Sequence, residues 1–370
     1  MSLTCLLIAD DLTGACDAAV PFAARGRATA ARLDFDGDVG GLDVLAVTTE
    51  SRALPAAALR GVFERTARVL AGVESRILFK KIDSTLRGNV GMEVALAAEA
   101  FDCEAAIVTP AFPAMNRMVQ AGWLRVAGGS FEPIEMAAFW RAQGLECAHV
   151  SPESLDAALA SGARFVSVDA ASDADLDAIV KWGLGSGRRM LWAGSAGLAS
   201  ALARVLFPGA DWQAKACPTG GACFSLPVLF CLGSDHPVTL EQERNLIAAR
   251  GALALDAMTA APEGLAAALA AGRHVALRIP YGRVSIERAR QLLGGLHGAL
   301  VLTGGDTASL VCRALDAAGI HLDHELAPGI PCGAIAGGPF PGAPVVTKSG
   351  GFGAPDALIR IADYFTCPTR

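Results

Sequence analysis

The sequence predicts an α/β protein of two domains, each a mainly parallel sheet flanked by helices. Short apolar runs alternate with longer amphipathic stretches along the chain. That alternation breaks once, at a Pro/Gly/Cys-rich stretch, and then restarts. At 370 residues the chain also exceeds one ordinary domain. A hydrophobic fraction of 52% against 18% charged residues supplies apolar surface for large buried cores and is foreign to a disordered chain.

Taken in order, Cys5–Ala9, Val44–Val47, Ile77–Lys81, Ala105–Thr109, Phe165–Val168 and Met190–Trp192 read as buried strands, being short, mostly apolar runs. Between most of them lie helical patterns such as Pro55–Leu70, where Pro55 suits a first turn. Pro208–Pro227 is the break in the pattern. It sets a first domain over 1–208, a linker over 209–227 and a second domain over 228–370. Beyond it, Val228–Cys231, Val275–Ile279, Leu300–Leu302 and Val345–Thr347 read as strands with helices between. Such alternation implies parallel sheets covered on both faces, with the active site expected in the cleft between the domains.

A net charge of −6 argues against nucleic acid or an anionic membrane as the main partner. No apolar run approaches the roughly 20 residues needed to span a bilayer. The start, Met1-Ser2-Leu3-Thr4-Cys5, lacks the basic opening and cleavage site of a signal peptide. The ten cysteines are scattered, without a C-x-x-C pair, and read as free thiols of a cytoplasmic protein. So hydrophobic a chain also makes a homodimer a natural expectation.

Ligands of open α/β sheets sit at the carboxyl ends of the strands, so the residues just after each apolar run carry the functional information. The first end reads LLIADDLTGACD. Asp10 and Asp11 there could hold Mg²⁺, substrate hydroxyls or a phosphate acceptor, or Asp11 could simply cap the next helix. The second end, VTTESR, offers Glu50, Ser51 and Arg52. The third, FKKIDSTLRGNVG, gathers Lys80, Lys81, Asp83, Ser84, Arg87 and Asn89: cations for a carboxylate, Asp and Asn for hydroxyls. Read blandly, it is a charged loop in which Ser84 or Asp83 caps a helix. Gly194 and Ser195, in WAGSAGLASAL, mark a further strand-to-helix turn that is either an anion site or a tight turn.

The second half carries a different signature. Gly233, Ser234 and Asp235 follow one strand, and Thr303, Gly304, Gly305, Asp306 and Thr307 follow another. Lys348, Ser349, Gly350, Gly351 and Gly353 lie near the C-terminus. Glycine at such places lets backbone N–H groups approach phosphate oxygens, so three Gly-rich turns in one domain point to a nucleotide. No G-x-x-x-x-G-K-[ST] occurs, and no G-x-G-x-x-G follows a strand and opens a helix. Neither a P-loop enzyme nor a Rossmann dehydrogenase is therefore expected. His321-Leu322-Asp323-His324-Glu325 looks metal-like but sits in a stretch of loop-like polarity without a third ligand at zinc-site spacing, so no protein-held metal is expected. His236 is expected to end a turn before Pro237 starts a helix. Trp123, Trp140, Trp182, Trp192 and Trp212 are expected to pack rather than to stack on a ligand.

The ordered set IADDLTGA, TTESR, KKIDSTLRGN, PAFP, GSAGLA, the Gly-Ser pair at 233–234, TGGDT and KSGGFG resembles the four-carbon acid sugar kinase family, which includes D-threonate, D-erythronate and 3-oxo-tetronate kinases. The resemblance spans essentially the whole chain, with KKIDSTLRGN its most specific part. It implies an N-terminal sugar-acid-binding domain and a C-terminal nucleotide-binding domain using ATP and Mg²⁺. It also implies substrate contacts from Asp10, Asp11, Arg52, Lys81, Asp83, Arg87 and Asn89, with Gly194 and Ser195 closing the pocket. ATP would lie against Ser234, the turn Gly304, Gly305, Asp306 and Thr307, and Gly350 with Gly351. Where the family commonly has Gly-Arg after PAFP, this chain has Asn116-Arg117, and Glu135–Val150 departs from the family pattern. Both differences fall in the substrate half.

The expected reaction is phosphoryl transfer from ATP to the terminal hydroxyl of the acid. Arg52, Arg87 or Lys81 would hold the carboxylate, and Asp306, or else Asp83 or Asp11, would take the hydroxyl proton. Two other readings stay open on the residues alone. One is a phosphohydrolase built on Asp10-Asp11, although no second Asp follows two residues after the first. The other is a non-catalytic sugar-acid sensor.

Overall fold

The computed structural model describes residues 2–35, 39–128, 131–209 and 226–366. Most of the expected linker, 209–227, and Trp212 lie outside the described residues. The chain divides into two compact units, Met1–Thr29 with Phe35–Asp211, and Ala30–Asp34 with Trp212–Arg370. No described helix is long and apolar enough to cross a membrane.

The first unit opens with β1 (Leu3–Ala9) and α1 (Leu12–Ala23); after β2 (Thr29–Arg32), which falls almost wholly in the second unit, it resumes with β3 (Val44–Thr48), α2 (Ala56–Val69), β4 (Ser75–Lys81), α3 (Val90–Ala100) and β5 (Ala105–Thr109). It continues with β6 (Arg117–Gln120), β7 (Trp123–Val126), β8 (Ile134–Glu135), α4 (Met136–Ala142), β9 (Cys147–Val150), α5 (Leu155–Ala160), β10 (Phe165–Val168), α6 (Asp173–Gly185), β11 (Met190–Gly194) and α7 (Ala196–Leu206). Its sheet runs in the order β3-β1-β4-β11-β5-β10-β9 and is parallel throughout. β1, β3 and β5 are apolar along nearly their whole length because helices cover both faces, as a parallel sheet requires. β6, β7 and β8 form a separate antiparallel sheet.

Local chemistry sets the helix ends. Pro55 turns out to be the N-cap of α2, whose buried Leu59, Val62 and Phe63 repeat at helical spacing. In α6 the Ser172 hydroxyl accepts the Asp175 amide at 3.2 Å, while the Asp175 carboxylate accepts the Ser172 amide at 2.9 Å. The described cysteines are free, and most are buried. Trp140 and Trp192 pack in the core as expected, and Trp182 donates to Asp156 at 2.9 Å. Trp123 departs from the packing expectation, being 38% exposed on β7 with Arg125 lying over its ring.

The second unit contains β12 (Val228–Leu232), α8 (Pro237–Arg250), β13 (Leu253–Asp256), α9 (Pro262–Ala270), β14 (Val275–Arg278), α10 (Ile286–Leu293), β15 (Ala299–Thr303), α11 (Gly305–Ala314), β16 (Gly319–Ala327), β17 (Ile330–Ala336), β18 (Pro344–Lys348) and α12 (Ala357–Thr366). Five strands, β13-β14-β12-β15-β18, are parallel, and β17 and then β16 continue the sheet antiparallel beside β18. Here the expectation of a loop at His321–Glu325 is corrected, because those residues are part of β16. Their alternation of exposed and buried positions is the period of a half-covered strand, not of a loop. His324 is buried, 3.1 Å from the Tyr364 hydroxyl and 3.3 Å from Asp323. Among the described residues no cluster of three or more metal-ligating side chains forms.

Candidate active site

In the first unit the expected residues converge because their strands are neighbours. β3, β1, β4 and β11 lie side by side, with Ala9 opposite Thr48 and Gly194 opposite Lys81. The turns carrying Asp10-Asp11, Arg52, Asp83 and Ser195 therefore emerge together at one carboxyl edge. Asp10 and Asp11 are nearly buried. Arg52 grips Asp10 with Nε at 2.7 Å and Nη2 at 2.9 Å, while its Nη1 pairs with Asp11. Burial pushes Asp10 up, but Arg52, with Lys80 and Lys81 behind it, outweighs that and holds the carboxyl below its ordinary range. The same two aspartates more than offset the desolvation of Arg52 and raise it further.

Asp11 has a second task. It is the N-cap of α1, accepting the Gly14 amide at 2.5 Å and the Thr13 hydroxyl at 3.0 Å. The capping reading of Asp11 is thus realised, and the same side chain also pairs with Arg52. Space at Gly14 is tight, since a Cβ there would lie 3.0 Å from Asp11 Oδ1 and 3.6 Å from Lys81 Nζ.

Beyond β4, Asp83 accepts the Thr85 hydroxyl at 2.5 Å and Arg87 through Nε at 3.2 Å and Nη2 at 2.7 Å. Its burial raises the pKa, but the hydrogen bonds and charge of Arg87, with Arg52 and Thr85, hold it well below the usual carboxylate range. The Arg87 side chain remains 64% exposed. Asn89 donates to the Leu54 carbonyl at 3.0 Å, and Lys81 donates to the Ile82 carbonyl at 3.1 Å. The Ser195 hydroxyl is buried; it donates to the Ala111 carbonyl at 2.6 Å and caps α7 through the Gly197 amide at 3.0 Å. Gly194 is tightly enclosed, since a Cβ would come within 2.7 Å of Leu198 and 2.9 Å of the Thr109 carbonyl.

Sequence reasoning missed the acidic residues of the layer beneath this edge, Glu93 and Asp17. Lys80, fully buried, pairs with Glu93 of α3 at 2.8 Å, and Ser51 donates to the same carboxylate at 2.7 Å. Asp17, on the otherwise apolar α1, lies 3.9 Å from Lys81 with its Oδ1 buried and unpartnered. Burial pushes the Asp17 carboxyl up to about 6, against the pull of Lys81 and Arg117. Arg117, which follows PAFP, donates to Ser84 at 2.9 Å. An acid inside an apolar helix was the available signal for both Glu93 and Asp17.

The second unit repeats the logic at a different edge. Leu232, Thr303 and Lys348 are cross-strand neighbours that end β12, β15 and β18, so the three glycine turns are adjacent. Gly304 (φ +97°) opens α11 in a conformation that favours glycine. A Cβ on it would lie 3.8 Å from Ser234 Cβ and 3.9 Å from Thr307 Oγ1, and a Cβ on Gly350 would overlap the Ser234 hydroxyl. Ser234, Gly304, Thr307 and Gly350 thus surround one small space. Asp306 is exposed in the first turn of α11, with Gly305 beside it. His236 caps α8 through the Val238 amide at 3.2 Å, with Pro237 next, as expected. Ser234 is held from below by Arg278, which donates to its carbonyl at 3.1 Å and pairs with Glu243.

Two parallel-sheet units, one ending in charged carboxylate–guanidinium clusters and one in glycine turns at helix starts, define a protein of the phosphotransferase class. Comparison with known proteins is more specific. Residues 5–145 and 141–202 match a sugar-binding N-terminal domain, and residues 281–358 match a nucleotide-binding C-terminal domain. The chain is 38% identical to a D-threonate kinase of Bordetella bronchiseptica, with 96% of each chain covered. It is 30% identical to a D-threonate kinase of Salmonella typhimurium, with 97% of each covered. A solved protein from Salmonella typhimurium LT2, 20% identical, shares the fold with a TM-score of 0.72 over 98% of this chain and 99% of that one. The chain belongs to the four-carbon acid sugar kinase family. It is therefore an enzyme, a kinase, and the sensor and phosphohydrolase readings fall away.

Proposed function

We propose that the enzyme transfers the γ-phosphoryl group of ATP to the terminal hydroxyl of a four-carbon sugar acid, with D-threonate the first candidate and erythronate or an oxo-tetronate next. The observation that carries this reading is the paired Arg52–Asp10/Asp11 and Arg87–Asp83 cluster at the edge of the sugar-binding unit. Ionised aspartates accept hydrogen bonds from hydroxyls, and guanidinium groups accept a carboxylate in the plane of their fork. A short polyhydroxy acid carries both complements. The D-threonate kinases similar to this chain support the choice of first substrate. Free thiols among the described residues fit a cytoplasmic reaction.

ATP would place its phosphates against Ser234, the Gly304–Thr307 turn and Gly350–Gly351. Oxygen donors of the kind found there, the Asp306 carboxylate and the Ser234 and Thr307 hydroxyls, suit Mg²⁺ carried on the phosphates, where it neutralises charge. Asp306 takes the hydroxyl proton. It is exposed beside the phosphate turn, whereas Asp83 is held strongly ionised and is a correspondingly weak base, and Asp11 is committed to Arg52 and to its cap. The test is ADP release with MgATP against D- and L-threonate, D- and L-erythronate and their oxo forms. Turnover on one of them is expected, and Asp306→Asn should lower kcat about 10²-fold or more while leaving the fold intact. ATP binding without turnover on any of these acids would move the substrate outside the class, and near-native turnover of Asp306→Asn would remove Asp306 as the base.

A further inference from the structure

Lys348, the last residue of β18, is fully buried, yet its three hydrogen bonds among the described residues all run to backbone carbonyls: Ser349 at 3.1 Å, Gly350 at 3.3 Å and Phe352 at 3.1 Å. A buried ammonium without a carboxylate is costly and needs a reason. The surrounding hydrogen bonds suggest one. Thr239 of α8 donates to the Gly350 carbonyl at 2.7 Å, and Gln242 donates to the carbonyls of Phe352, Gly353 and Ala354 at 3.0, 3.1 and 2.9 Å. The carbonyls of residues 349, 350, 352, 353 and 354 are thus all drawn to one side of the turn. Among the described residues, the Gly350 and Gly351 amides have no acceptor. A peptide whose carbonyls are pinned inward presents its N–H groups the other way, which is the arrangement that binds anions.

We propose that Lys348 is the positioning residue of the phosphate turn, its ammonium gathering the carbonyls of Ser349, Gly350 and Phe352 so that the glycine amides face the nucleotide phosphates. This rests on the reading that ATP lies at these turns. The role requires the charged amine, and burial lowers Lys348 to about 7, so the turn exists in protonated and neutral forms near neutral pH. Phosphate nearby favours the protonated form, and nucleotide binding above pH 7 therefore takes up a proton. The other titratable or charged groups at this edge are Glu243 on α8, Asp235 and His236 before it, Arg278 on β14 and Asp306 on α11. Working above pH 7 keeps the ordinary histidine range from dominating the signal.

The experiment is calorimetric titration of the full chain with MgADP at pH 7, 8 and 9, each in two buffers of different ionisation enthalpy. Binding about fivefold weaker at pH 8 than at pH 7, and about a further tenfold weaker at pH 9, is expected, with close to one proton taken up at the higher pH. Lys348→Met should lose the uptake and bind at least tenfold more weakly at pH 7, with the KM for the sugar acid unchanged. Lys348→Arg, charged throughout, should lose the pH dependence whatever its affinity. Wild-type binding that is flat in pH with no proton uptake overturns the proposal even if neither variant folds, and so does uptake that persists in Lys348→Met. Absence of MgADP binding by the wild-type protein at every pH would instead overturn the nucleotide reading on which it rests.

Discussion

Gly350→Ala isolates the steric demand of the nucleotide edge. The φ of Gly350 lies outside the left-handed region, so alanine is not excluded by its backbone. Its Cβ, however, would overlap the Ser234 hydroxyl and lie 2.8 Å from Ser234 Cβ and 3.5 Å from His236 Cβ. The hydroxyl can rotate away, but the Cβ cannot. Restoring an ordinary carbon–carbon contact of about 3.5–4.0 Å requires the two turns to part by roughly 0.7–1.2 Å. Overpacking of this size costs about 1–3 kcal/mol, and a displacement near 1 Å at a reacting site costs about 10²-fold in rate. We therefore expect kcat/KM for ATP to fall about 30- to 100-fold, with the KM for the sugar acid within about twofold.

The control is a double-mutant cycle in the ADP-release assay. Ser234→Gly removes both clashing atoms at some loss of its own, so Gly350→Ala should add little in that background. A coupling energy of about 1–3 kcal/mol is the expected reading. If Gly350→Ala alone keeps native kcat/KM for ATP, the two turns do not form one site. If its defect is equally large with and without Ser234, the clash is not its cause.

Further substitutions test the layer beneath the sugar-acid edge. Glu93→Ala leaves the Lys80 ammonium buried without its carboxylate and should destabilise the protein by about 3–5 kcal/mol in urea unfolding, whereas Lys80→Met with Glu93→Leu should be close to neutral; equal losses in both would show that packing, not charge, sets the cost. Asp17, pushed up to about 6 from 3.8, contributes most favourably below pH 3.8, and that contribution is lost as pH rises through 6, by roughly 3 kcal/mol in all. The stability of Asp17→Asn relative to wild type should accordingly rise by about that amount between pH 4 and pH 7. A difference that does not change with pH would show that Asp17 titrates at its ordinary value.

The strands most legible in the sequence were those buried on both faces. β5 and β10 fall where their apolar runs predict because a parallel strand under helices needs no alternation, only length. β16 was misread for the complementary reason. Its polar residues His321, Asp323 and Glu325 alternate with buried Leu322 and His324, and its cross-strand partners on β17 come into place only when that strand folds back against it. At the sites, residues on the strand ends could be named because position in a parallel sheet dictates where a turn emerges. Which of them pair with each other could not, since Arg52 reaches Asp10 and Asp11 only once β3 has been placed beside β1. Lys348 stood in the sequence next to its glycines, but burial and three carbonyl partners are properties of the folded turn.

That pairing changes how a sugar acid would be held on the proposed reading. None of the expected cations is an empty socket. Arg52 spends Nε and Nη2 on Asp10 and Nη1 on Asp11, and Lys81 faces Asp17 and the Ile82 carbonyl. Among the described residues Arg87 spends Nε and Nη2, on Asp83, and most of its side chain meets solvent. A guanidinium has five N–H donors, so Arg87 keeps three for a carboxylate without surrendering Asp83, while Arg52 keeps two on a side chain only half as exposed. The carboxylate is therefore better placed on Arg87. Asp10, held ionised by Arg52, and Asp11, paired with it, each still carry unused lone pairs and become the acceptors for hydroxyls further along the chain of the acid. Arg52 then acts by fixing those acceptors in place rather than by touching the carboxylate. On that division of labour the end of the substrate without the carboxylate is the one left for phosphorylation.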